Sequence, residues 1–163
     1  MKQILVFFLL SITFFVHAGD KVPSSLVQSY AASIDQLSQK LVECRESEKP
    51  LDKGALQNLG LTKDELRIVL AYQFSRLGFE CSKQEYSDYL IAAKAMAEFT
   101  PNPAQEFVEA TDNIVTAAEK YRWDAIERYN GLPEAVKHKV KASGLFTAPF
   151  DLLESMPLAA SDR

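Results

Sequence analysis

The sequence predicts an all-α protein: a single helical bundle of about five helices, stapled by one disulfide, after a cleaved signal peptide. Three observations carry that expectation. Apolar residues recur at three- and four-residue spacing along most of the chain, and no segment alternates with period two between turn residues. Glycine and proline are sparse, 6 and 7 of 163 residues, and most of them punctuate the periodic stretches. The two cysteines, Cys44 and Cys81, both continue apolar helix faces.

Residues 1–18 read as an export signal. Lys2 supplies the positive start, and the run from Ile4 to Val16 is broken only by Ser11 and Thr13. Val16-His17-Ala18 fits a signal-peptidase site. The run is too short to cross a hydrocarbon layer of roughly 30 Å, which needs about 20 helical residues. Cleavage after Ala18 is therefore expected, with delivery to the periplasm or the exterior. Removing 18 of the 163 residues leaves 145, and losing Lys2 takes the net charge from −4 to −5. An oxidising compartment makes a Cys44–Cys81 disulfide the simplest use of the pair. It would close a loop of about 37 residues, for which chain entropy alone gives ~3.8 kcal/mol.

The helical domain is expected over residues 19–144. Ser24 and Ser25 can cap a first helix whose stripe is Val27, Tyr30, Ile34, Leu37, Leu41 and Cys44. Pro50 breaks it, and a short apolar piece follows, ending at Gly60 in a C′ role. Thr62-Lys-Asp-Glu65 is a capping box that opens a helix over about 63–79. That helix is apolar on two sides. Leu66, Leu70, Phe74, Leu77 and Cys81 share one face, and Ile68, Tyr72 and Phe79 lie nearly opposite, so it belongs at the centre of the bundle. Ser82-Lys-Gln-Glu85 reads as a second capping box starting another helix. Asn102 and Pro103 open a long helix to about residue 129, and Pro133 opens a short one stopped near Gly144. Residues 145–163 form an apolar C-terminal tail, expected to pack across the second face of the central helix with Phe146 and Phe150 as anchors and Pro149 keeping the crossing segment out of a helix.

Chemistry is sparse. Once the signal is removed, His138 is the only histidine, and it sits among Lys137, Lys139 and Lys141. Zinc-protease, haem-attachment, calcium-loop and phosphate-loop motifs are missing, so no catalytic residue, metal or cofactor is assigned. The acidic net charge argues against nucleic acid as a partner, and no segment after the signal is apolar enough to span a membrane. Arg122 projects into an apolar band between Ala118 and Ile126, which points to a structural ion pair, a stem that snorkels to water, or an anion clamp inside the bundle. The candidate interaction surface comprises Ile68, Tyr72, Phe79, Trp123, Phe146 and Phe150: Trp123 lies off the buried band of its helix, and the other five are open to a partner if the tail binds in trans rather than packing in cis. Lys137, Lys139 and Lys141 form a small basic patch suited to weak envelope contact. The resulting expectation is an exported, non-catalytic protein acting by protein–protein interaction, such as an adaptor, a pilotin-like chaperone or a toxin-neutralising protein. The alternative is a small-ligand-binding protein or enzyme with a bundle pocket around Arg122.

Overall fold

The computed structural model describes residues 22–99 and 119–156. The signal segment 1–18, the Asn102–Pro103 helix start and the end of the tail beyond residue 156 lie outside the described residues. The fold is all-α. Among the described residues there are six helical stretches: α1 (Ser24–Glu46), α2 (Lys53–Asn58), α3 (Lys63–Phe99), a run over 119–130 called α4, α5 (Glu134–Ser143) and α6 (Leu152–Ser155). The same residues contain no strand, only an isolated parallel bridge between Lys49 and Phe150.

Local chemistry sets most boundaries. Asp52 caps α2 by accepting from the Ala55 N–H at 2.6 Å. Gly60 follows with φ +57°, the left-handed geometry that glycine adopts without a Cβ penalty. The capping box at α3 is formed in both directions. Glu65 Oε2 accepts from the Thr62 N–H at 2.8 Å, and Thr62 Oγ1 accepts from the Glu65 N–H at 3.3 Å. These contacts hold the Glu65 carboxyl below its ordinary pKa. Gly144, at φ +64°, ends α5. Helix α1 differs from expectation: Pro23 occupies the cap position, and no side chain caps the helix.

The larger correction is at Ser82. No helix begins there, and α3 runs unbroken for 37 residues, about 55 Å at 1.5 Å per residue. Ser82 Oγ donates back to the Gly78 carbonyl at 3.2 Å instead of capping forward. Phe79 and Tyr86 meet edge to face at 6.1 Å across the expected break. The Arg76–Glu80 pair at 2.9 Å supports the turn before it.

Helix α3 is the spine, with two cores along it. Toward its start, Leu66, Val69, Leu70 and Leu77 pack with residues of α2, α5 and the tail. Toward its end, Ala92 and Met96 pack with Tyr30 of α1. The Cys44–Cys81 disulfide ties α1 to the middle of α3, with the Cα atoms 6.1 Å apart. Tyr30 lies 6.1 Å from Tyr89 while Cys44 meets Cys81, so α1 and α3 run antiparallel.

At Tyr72 and Phe79 the second face of α3 is covered by α4 rather than by the tail, while Ile68 packs against the core at the start of α3. Tyr129 stacks on Tyr72 with ring centroids 3.9 Å apart, and the Arg122 guanidinium carbon sits 4.0 Å from the Phe79 ring centroid. Seven residues up one helix match seven down the other, so α4 is antiparallel to α3 as well. The tail takes the opposite face. Phe150 meets Phe74 edge to face at 6.1 Å and is 1% exposed, and Phe146 is buried beside it. The crossing segment 144–151, which contains Phe146, Pro149 and Phe150, is free of helix, and the single turn of α6 follows it, capped by Asp151 through the Glu154 N–H at 3.0 Å.

Backbone bonds hold the tail down. Lys49 donates to the Pro149 carbonyl at 3.4 Å, and Asp151 donates to the Lys49 carbonyl at 3.2 Å. This seam sets Glu48 beside Asp151, and its carboxyl is raised above the ordinary value, first by burial and then by the Asp151 charge. A raised carboxyl contributes stability that is present below its unfolded pKa and lost as pH rises through the folded one. Ionised Glu48 therefore works against docking at neutral pH. Glu48→Gln is expected to raise the melting temperature at pH 7, with the difference vanishing below about pH 4.5. A benefit that persists undiminished in acid would show that the charge is not the cause.

Candidate functional site

The sequence-selected residues divide into three places. Phe146 and Phe150 lie in the core, and Ile68, Tyr72 and Phe79 are half-buried. Trp123 is 60% exposed, on the side of α4 turned away from the core.

Arg122 is enclosed. Its side chain is 23% exposed, its Nη2 donates to Glu119 Oε2 at 2.9 Å, and its plane lies over Phe79. The arginine offers charge to a carboxylate and a flat face to a ring, the two contacts a guanidinium makes well. Tyr86 closes the cluster. Burial raises its phenol pKa most, and the Glu119 carboxylate beside it raises it further, although no hydrogen bond between the two is formed with good geometry. Arg122 Nε is likewise buried without an acceptor. The guanidinium is thus engaged as a packed ion pair. Arg122→Met keeps volume over Phe79 and leaves Glu119, 29% exposed, able to reach water. Its expected cost is below about 1 kcal/mol by urea unfolding. Arg122→Ala also loses the stem packing and is expected to cost about 2 kcal/mol. Equal losses in the two variants would assign the effect to charge alone.

A second site was not visible in the sequence. A groove of about 530 Å³ opens between α3, α4, α5 and the start of the tail. Tyr72 and Tyr129 line one part of it, and Arg76, Lys137, His138 and Lys141 bring polar groups to it. Arg76 is the organiser. Its Nε donates to Gln73 Oε1 at 2.9 Å, its Nη1 to Glu80 at 2.9 and 3.0 Å, and its Nη2 to the Phe146 carbonyl at 3.0 Å. Buried Gln73 therefore has a defined role, and the bond to Phe146 reaches 70 residues along the chain. Lys137 donates to Glu134 at 2.6 Å and to the Asn130 carbonyl at 3.2 Å.

The basic patch divides in the same geometry. Lys137 and Lys141, four apart on α5, face the groove. Lys139 is instead close enough to Glu65 to lower that carboxyl. Among the described residues, no helix is long and apolar enough to cross a membrane, and no group of three His, Cys, Asp or Glu side chains is placed to hold a metal. Set against protein-family models, curated proteins and solved structures, the chain matches none.

Proposed function

We propose that this chain is an exported, non-catalytic helical protein that acts by binding another protein, as an adaptor, pilotin-like chaperone or toxin-neutralising protein does. The observation that carries the reading is Trp123, 60% exposed on α4 while Arg122, Ala125 and Tyr129 of the same helix turn inward. A large aromatic side chain on a helix whose inner face is already packed is a typical interface anchor. The Cys44–Cys81 disulfide supports export, because such bonds persist mainly in oxidising compartments. The charge and apolar pattern of residues 1–18 supports it independently.

Two measurements test the reading. N-terminal sequencing of the fractionated protein is expected to begin at Gly19, and a cytoplasmic product starting at Met1 would remove the export half. Affinity purification from the native envelope, followed by mass spectrometry, is expected to recover a protein that Trp123→Ala loses at unchanged melting temperature. Equal recovery by both forms would remove Trp123 from the interface.

A further inference from the structure

We propose that the groove between α3, α4 and α5 binds a small organic anion, its charge held by Lys141 with a further hydrogen bond from Lys137, and its apolar or aromatic body laid against Tyr72 and Tyr129. Four observations meet there. The volume of about 530 Å³ falls within the range of small-molecule sites. In a chain of net charge −4, the lining carries three cations, Arg76, Lys137 and Lys141, against one carboxylate, Glu134. Lys141 has no ion-pair or hydrogen-bond partner among the described residues, so its three N–H donors are free for a ligand. Lys137 makes two bonds, which leaves one further donor on Nζ.

The walls favour an anion with a body over a bare ion. The two tyrosine rings are held 10° from parallel and 3.9 Å apart, so they present a rigid edge that loses little freedom on binding. The Tyr129 phenol, neutral at physiological pH like any tyrosine, is raised further by burial and then by the neighbouring Tyr72, and it offers the groove a hydrogen-bond donor. Arg76 has its charge offset by Glu80 and its place fixed by Gln73 and the Phe146 carbonyl, so it shapes the groove rather than supplying the free charge. A phosphate and a carboxylate satisfy the lysines by the same chemistry. This site is separate from the protein-binding reading at Trp123, and each can fail alone.

The test is a titration of the full mature, oxidised chain with four probes: phenyl phosphate, benzoate, inorganic phosphate and benzyl alcohol. Binding is followed by NMR of the Tyr72 and Tyr129 ring signals. Phenyl phosphate or benzoate is expected to shift both rings saturably, with a dissociation constant below about 1 mM, and the tighter of the two identifies the anion class. Inorganic phosphate is expected to bind about tenfold more weakly, and benzyl alcohol not to saturate. Lys141→Gln should weaken the organic anion about tenfold at unchanged melting temperature, while Lys139→Gln, outside the groove, should leave it unaltered. No saturable shift with either organic anion overturns the proposal. Equal weakening by Lys139→Gln also overturns it, because that would show attraction to a diffuse positive surface.

Discussion

Replacing Phe150 with alanine is expected to remove about 3–5 kcal/mol, among the largest losses available to a single side chain here. Phe150 is 1% exposed, and its ring meets Phe74 at 6.1 Å and Phe146 at 5.7 Å. The surrounding backbone cannot collapse freely onto the vacated space. The Lys49 seam fixes residues 149 and 151, and Arg76 holds the carbonyl of Phe146. A cavity that cannot close keeps its full cost. Against a total stability of about 5–15 kcal/mol, such a loss is a large fraction of what keeps the chain folded. Urea unfolding measures it, and binding of an apolar dye reports whether the tail lifts. Leu153, three residues on, is 79% exposed, and its replacement by alanine should stay within about 0.5 kcal/mol. A Phe150→Ala variant as stable as Leu153→Ala would mean that the tail does not hold the bundle together.

Helix identity was legible because it is written locally. The three- and four-residue spacing, the Thr62–Glu65 box and the glycines at 60 and 144 act within one or two turns, and each has its expected local geometry. The motif at Ser82 has the same local form and a different outcome. Cys81 is bonded to α1, Phe79 lies against Arg122 of α4, and Tyr86 lies beside Glu119 of α4, so neighbouring helices hold α3 on both sides of Ser82 and keep it continuous. The two apolar faces of α3 were equally readable, but their covers were not. Tyr72 and Phe74 sit two residues apart and carry similar rings, and only the fold assigns Tyr129 to one and Phe150 to the other. The groove was beyond reach for a related reason. Arg76 resembles a surface residue paired with Glu80, and its bond to Phe146 leaves no trace in the sequence around it. The one local hint was the Lys137–Lys141 spacing, which places both on one side of α5 once Lys139 is set apart.

Removing the disulfide is expected to cost about 3.8 kcal/mol, the chain-entropy value for a separation of 37 residues. The double variant Cys44→Ser with Cys81→Ser avoids a stray thiol, and its melting temperature should fall by roughly 8–15 °C for a chain of this size. The loss should not be uniform. Among the described residues, the core at the end of α3 has three buried members, Tyr30, Ala92 and Met96, against eleven at its start. Without the cross-link, the α1 end of the molecule should open first, seen as early loss of amide-exchange protection around Tyr30 and Met96. The disulfide also reaches the tail. Ser47 Oγ donates to the Cys44 carbonyl at 2.6 Å, and two residues later Lys49 pairs with the backbone around Phe150. Freeing Cys44 therefore loosens the strip of chain against which the tail docks. Combining the double cysteine variant with Phe150→Ala should then cost less than the separate losses added together, by more than about 0.5 kcal/mol. Strict additivity would mean that the cross-link acts only on the unfolded chain, and a reduced protein as stable as the oxidised one would sink the entropic account altogether.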